Sequence, residues 1–195
     1  MHHVFCLMGK SASGKDSIYQ ELLRHEDLRL HKVVPYTTRP IKEHEQEGRE
    51  YHFTTLEEFE RFRNEGRIIE YRMYESFYGP WYYYTCDDGQ IDPASRDVLL
   101  IGTLESYKAL RAFYGEECVV PLYVNVEDGL RLERALKRER EVERPRYAEM
   151  CRRFLADMED FSEEKLAEAG ITEIFDNTDF DRCVDKIRAR ILSFA

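Results

Sequence analysis

The sequence predicts an α/β fold in one domain, with a mainly parallel sheet flanked by helices. Three observations carry this. Short apolar runs alternate with longer amphipathic stretches along the chain. The first run, VFCLM (4–8), leads directly into the loop GKSASGKDS (9–17) and then a helical pattern. In the middle, RDVLLIG (96–102) is followed in the same way by TLESYKALRAFYG (103–115).

Taken in order, VFCLM is apolar throughout, as a strand covered on both faces must be. DSIYQELLRH (16–25) has apolar residues at helical spacing and an acid, Asp16, in its first turn, where the helix dipole favours it. HKVVPY (31–36) reads as a second strand and REYHF (49–53) as a short alternating one. TTLEEFERFRNEG (54–66) is a helix that opens on a capping threonine, Thr54 or Thr55, and closes on Gly66. RIIEYRMYES (67–76) is strand-like, whereas YGPWYYYT (78–85) is dense in aromatic residues and receives no element. RDVLLIG is a buried strand, TLESYKALRAFYG a helix ending on Gly115, and CVVPLYVNV (118–126) another strand. Residues 127–168 form one long charged helical stretch, broken before Pro145 because the residue preceding a proline is driven out of helix. GITEIFDN (170–177) closes as a strand and TDFDRCVDKIRARILSF (178–194) as a helix. No internal repeat, low-complexity tract or linker divides the chain.

The 195 residues suffice for a compact core with small insertions. No apolar run approaches the roughly 20 residues of a membrane span, and the N-terminus lacks the layout of a signal peptide. Five scattered cysteines without a CxxC pair argue against a disulfide framework and against zinc; small buried hydrophobes in a reducing cytoplasm are expected. The net charge of −10 excludes nucleic-acid binding through a general basic surface. Local clusters of Arg and Lys point instead to a small phosphorylated ligand.

Gly9 to Lys15 fit the pattern GxxxxGK. Glycines let the backbone curl so that successive N–H groups face inward at a helix N-terminus, and the lysine reaches the outer phosphates. With a strand before and a helix after, this predicts a P-loop NTPase fold; a glycine-rich turn capping a helix would use the same residues. The next position, normally the Ser or Thr that holds magnesium, is Asp16. In PYTTRPIKEHEQEGREYHF (35–53), Arg39, Lys42 and Tyr51 stand close enough to converge on one phosphate, Arg as a bidentate fork and Lys as a point charge. Taken alone this is a weak signal, because surface Arg and Lys are usually solvated.

The order of phosphate loop, TTRP and E-x-x-G-x-x-Y-x-F resembles the guanylate kinase family, with Thr37, Thr38, Arg39, Glu45, Gly48, Tyr51 and Phe53 at matching spacing. IIEY (68–71) resembles the family's F-x-E-W, and Tyr78–Gly79 its Y-G. SRDVLLIG is similar to its G-x-D-V-L-L-D-I-D strand, and IFDNTDFDRCVDKI to its V-I-V-N-D-D-L-D-x-A-x-x-x-I. The resemblance implies phosphorylation of GMP by ATP with magnesium. It also implies a core (about 1–32, 85–124 and 146–195), a monophosphate-binding part (about 33–84) and a lid (about 125–145).

Roles follow residue by residue from the resemblance. Gly9, Lys10, Ser11, Ala12, Ser13, Gly14 and Lys15 form the ATP loop, continued by Asp16 and Ser17, with Asn177 near the adenine. Arg39, Tyr51 and Tyr78 hold the acceptor phosphate, and Lys42 stands where a second Arg is expected. Glu70 accepts from guanine N1 and N2. Arg134 and Arg138 resemble lid arginines and Arg153 one further along; Lys15, Arg39, Arg138 and Arg153 make up the catalytic set. Departures fall on the base site. Pro35 replaces the serine that bonds guanine O6, Ile101 and Thr103 replace two aspartates, one of them a base reader, and Pro80 follows Tyr78–Gly79. Thr103 is kept as a substrate residue, base readout rests chiefly on Glu70, and Asp16 is expected to take the metal. The partners expected are small nucleotides, with no nucleic acid and no membrane; the sequence specifies no protein partner. Two other readings stand beside this one: a kinase for another nucleoside monophosphate or small phosphorylated acceptor, and a non-catalytic guanylate kinase-like binding module. Such modules typically lose the phosphate loop, whereas Gly14 and Lys15 are present here.

Overall fold

The computed structural model describes residues 2–76 and 79–194. In chain order, strand β1 (Val4–Met8) leads to helix α1 (Lys15–Arg24), followed by β2 (His31–Lys32), β3 (Tyr36–Thr37), β4 (His52–Phe53) and α2 (Leu56–Asn64). The antiparallel pair β5 (Ile68–Ser76) and β6 (Gly79–Cys86) comes next, then β7 (Val98–Ile101), α3 (Leu104–Tyr114) and β8 (Val119–Asn125). Helices α4 (Asp128–Arg140), α5 (Tyr147–Asp160) and α6 (Glu163–Glu168), strand β9 (Ile174–Asp176) and helix α7 (Phe180–Leu192) complete the chain.

A five-stranded parallel sheet in the order β2-β7-β1-β8-β9 forms the core. Strand β1 explains its own sequence. Val4, Cys6 and Met8 pack on one side with Tyr107 and Leu110 of α3, and Phe5 and Leu7 on the other with Ile18, Leu22 and Ile187 of α1 and α7. Neither face meets water, so no polar alternation is seen.

The second sheet, in the order β4-β3-β6-β5, lays one face on α2. Tyr82 and Tyr84 pack there with Phe59, whose ring stacks on Tyr82 at 4.1 Å between centroids. Alternate residues, Tyr83 and Thr85, point to the opposite face, because successive side chains of a strand alternate. The WYYY run is therefore a strand with an aromatic side toward α2, an element the sequence reading did not assign. Pro80 lies opposite Glu75 near the start of β6, beyond the stretch that β3 covers.

Three expectations are corrected. HKVVPY is not one strand: its two ends belong to different sheets. The Val33 N–H still donates to the Leu99 carbonyl (3.2 Å), but the Val34 N–H is captured by the Gln90 side chain (2.8 Å), and Pro35 has no N–H to offer. The stretch 127–168 breaks around Pro145 as expected, but a second time at Phe161–Ser162, where Ser162 caps α6. Cys6, Cys86, Cys118 and Cys183 are buried thiols, whereas Cys151 is exposed on α5. Among the described residues, no helix is long and apolar enough to cross a membrane.

Candidate active site

Local constraints shape the phosphate loop between β1 and α1. Gly9 lies so close to the Val124 carbonyl that a Cβ would collide with it. Gly14 takes φ +88° against the Asn177 amide, where a Cβ would again collide. Ala12 holds φ +62°, a left-handed conformation that costs an L-residue roughly 1–2 kcal/mol. Asn177 braces the loop from beneath: its Nδ2 donates to the Ser13 carbonyl (2.7 Å), and its own carbonyl accepts from Arg134 Nη2 (3.0 Å). Asn177 Oδ1 and Ser13 Oγ are buried and without partners among the described residues.

Lys15 opens α1 with its Nζ 4.0 Å from the Asp16 carboxylate, which is 73% exposed; Ser17 is exposed beside them. Lys10 leans away, 3.8 Å from Asp128 and 3.5 Å from the Met158 sulfur. No group of three or more His, Cys, Asp or Glu gathers as a metal centre among the described residues. Asp16 offers an exposed carboxylate at the end of the loop, a hard oxygen donor of the kind that magnesium takes alongside waters and substrate phosphates.

On the second sheet, the face that looks away from α2 holds the acceptor candidates. Arg39 is 4% exposed, and its Nη1 and Nη2 fork onto Glu45 at 2.7 and 2.6 Å. Its Nη1 also donates to the Pro40 carbonyl (2.9 Å) and its Nε to the Tyr83 hydroxyl (3.2 Å), while the guanidinium lies 5.2 Å from the Tyr51 ring centre. The Arg39 hydrogen bond pulls the Glu45 carboxyl down to about 2, and Glu45 in turn raises Arg39. Burial pushes the Tyr51 hydroxyl up, with Arg39 opposing. Lys42 is exposed and contributes its backbone N–H to Glu45 (2.9 Å). Tyr78 lies outside the described residues.

Glu70, 8% exposed, accepts from the hydroxyls of Thr85 (2.7 Å) and Ser106 (3.2 Å). Thr103 stands one step behind: its hydroxyl caps α3 at the Ser106 N–H (3.2 Å) and contacts the Ser106 hydroxyl (3.1 Å). Burial first, and then the Glu70 charge, push the thiol of Cys6 upward.

The arginines expected of the lid separate. Arg134 reaches the loop through Asn177, Arg138 is exposed on α4, and Arg153 pairs with Glu149 at 3.7 Å. The sequence reading missed Arg131, whose side chain is 0% exposed. Its Nη1 donates to the Ser11 carbonyl (3.3 Å) and to Asp157 (3.1 Å), its Nη2 pairs with Asp128 (3.0 Å), and Phe154 lies 4.1 Å beneath it. Asp157 accepts from the Ser11 N–H at 2.7 Å. A usable signal existed: Arg131 shares the buried stripe of α4 with Ala135 and Glu139, at four-residue spacing. Arg72 was also missed, two residues beyond Glu70 on β5.

A glycine-rich loop with the GxxxxGK pattern follows the central parallel strand β1, and the Arg39–Tyr51 pair stands on a second sheet. The chain belongs to the guanylate kinase family, whose sequence model, described as "Guanylate kinase", matches residues 1–192. It is 33% identical over 135 residues to a guanylate kinase of Oleidesulfovibrio alaskensis, covering 69% of this chain and 63% of that protein. It is 34% identical over 80 residues to one of Baumannia cicadellinicola, covering 39% of each. The chain thus spans less than two thirds of the length of these curated relatives. The crystal structure of guanylate kinase from Anaplasma phagocytophilum shares its fold, with a TM-score of 0.64 at 20% identity over 98% of this chain and 85% of that one.

Proposed function

We propose that this protein transfers the terminal phosphoryl group of ATP to GMP or dGMP. One observation carries the reading: an intact phosphate loop and the Arg39–Tyr51–Glu70 face stand on separate sheets, joined where Ser106 of α3 meets Glu70. Transfer between two phosphates needs positioning and charge neutralisation more than covalent help from the protein. Gly9 to Lys15 bind and orient ATP. Arg39 and Tyr51, with Lys42 and Tyr78, orient the acceptor phosphate, and Glu70 holds the base. Arg134, Arg138 and Arg153 close over the phosphates and exclude water. Magnesium, held by Asp16 and the nucleotide, supplies further neutralisation of phosphate charge when bound.

The division of labour follows the chain: core about 1–32, 85–124 and 146–195, monophosphate-binding part about 33–84, lid about 125–145. Buried free thiols suit a reducing cytoplasm. A coupled ADP-release assay across ribo- and deoxyribonucleoside monophosphates tests the reading. GMP or dGMP is expected as the best acceptor; turnover confined to CMP, UMP or AMP would overturn it. Those acceptors belong in the panel because Pro35 brings no side-chain donor to the base site and the Thr103 hydroxyl is already engaged.

A further inference from the structure

Glu70 and Arg72 are two residues apart on β5, in regular register opposite Thr85 and Tyr83, so both rise from the face that looks away from α2. That face also carries Arg39 and Tyr51, since Tyr83 accepts from Arg39 and meets the Tyr51 ring edge-on at 5.6 Å. The two side chains are held differently. Hydroxyls of Thr85 and Ser106 fix the Glu70 carboxylate from two elements. Arg72 has no such anchor: its Nε stands 3.5 Å from Glu70 Oε2, and this buried donor makes no hydrogen bond among the described residues. Arg72 stands directly opposite Tyr83 in the ladder, the residue that also meets Arg39 and Tyr51, so it shares the face of the acceptor-phosphate residues. A buried guanidinium N–H without an acceptor is a standing cost unless a ligand supplies one.

We infer that Arg72 is the base-selecting donor of the acceptor site, giving hydrogen bonds to the O6/N7 edge of guanine while Glu70 accepts from N1–H and N2–H. This rests on the GMP reading above. Guanine presents donors at N1 and N2 and, on the adjoining edge, acceptors at O6 and N7. A carboxylate beside a guanidinium repeats that polarity in reverse, and Arg on O6/N7 is a standard guanine pairing. Adenine would set its N6 amino group against the guanidinium. Two positions that could otherwise serve O6 do not: Pro35 lacks a side-chain donor, and the Thr103 hydroxyl is bound at Ser106.

The test pairs protein variants with altered bases. kcat/KM is measured for GMP, for IMP (which keeps O6 and lacks the 2-amino group), and for 2-aminopurine riboside monophosphate (which lacks O6). Wild-type protein, Arg72→Met and Arg72→Lys are compared. Arg72→Met is expected to lower kcat/KM for GMP and IMP by roughly 10- to 100-fold, through KM, and to lower 2-aminopurine riboside monophosphate, which keeps N7 but lacks O6, by a factor several-fold smaller. Arg72→Lys should recover part of the loss and gives the same split should the Met variant not fold. Equal losses on all three substrates would mean that Arg72 merely steadies Glu70, and would overturn the inference. Unchanged GMP turnover in Arg72→Met would overturn it too. A wild-type protein that phosphorylates none of the three purines overturns the GMP reading and this inference together, a result distinct from either of the others.

Discussion

Arg39 has five N–H donors, and four of them are committed inside the protein, to Glu45 twice, to Pro40 and to Tyr83. Among the described residues, one N–H of Nη2 remains for a ligand. A side chain so thoroughly paired is preorganised, and its loss is felt by whatever it was aimed at. Arg39→Ala should therefore raise KM for the monophosphate far more than KM for ATP, by the roughly 1.5–3 kcal/mol of a charge-assisted hydrogen bond. Steady-state kinetics with each substrate varied in turn would refute the assignment if only the ATP constant moved. The same pair makes a pH prediction. Glu45 is drawn from 4.5 to about 2, so its folded form binds a proton less readily than its unfolded form. Its contribution is thus whole above pH 4.5 and disappears as the pH drops toward 2. Urea denaturation over that range should fall more steeply for wild type than for Glu45→Gln. Asp16, by contrast, touches little but Lys15. Asp16→Ala should keep the melting temperature, lower kcat at least tenfold, and shift to higher magnesium the binding of a fluorescent ATP analogue. Asp16→Thr should retain much more activity. Binding and turnover unchanged in the alanine variant would reduce Asp16 to a helix-start acid.

One fully buried cation, Arg131, ties both α4 and α5 to the phosphate loop. Taking Arg131 away strands Asp157 beside Ser11, and uncompensated charge of this kind is costly. Arg131→Leu should destabilise by about 3 kcal/mol, and adding Asp157→Ala should restore most of the loss, because removing both charges also removes their desolvation. Chemical denaturation of the two single variants and the double variant checks this; additive losses would contradict it. The same helices show what the sequence could and could not reveal. Elements governed by one periodicity were legible: β1, α1, α2, α3 and α7 follow directly from apolar spacing and caps such as Thr55 and Thr103. Elements decided by a distant partner were not. Gln90 splits HKVVPY, and α2 turns an aromatic run into a strand. The site divides likewise. Gly9 to Lys15, Arg39, Tyr51 and Glu70 lie in local motifs, whereas Arg131 needs Asp157, 26 positions away, before its role exists.

At the scale of the molecule, the protein is two sheets with an excess of ten negative charges. A polyanionic ligand approaching such a surface is attracted only where cations are gathered, at Lys15, Arg134 and the Arg39 face. Binding of ATP should close the lid (about 125–145), drawing α4 inward and bringing Arg138, now exposed, against the phosphates. Energy transfer between dyes on α4 and on the second sheet would report this closure, and protection of Arg138 from guanidine-directed reagents would report the contact. An Arg138 still open to solvent with ATP bound would contradict the assignment.

The carboxylate of Asp157 already sits on the Ser11 N–H of the phosphate loop. The protein in effect carries a tethered competitor. Any anion that wants that amide contends with a group on its own chain, present at the high local concentration that tethering confers. The apparent grip of the loop is then its intrinsic grip divided by the strength of this resident, and the resident can leave Ser11 only if α5 shifts or its side chain turns. Occupancy of one backbone N–H thereby becomes a record of the position of a helix, written in the same place where the nucleotide is read.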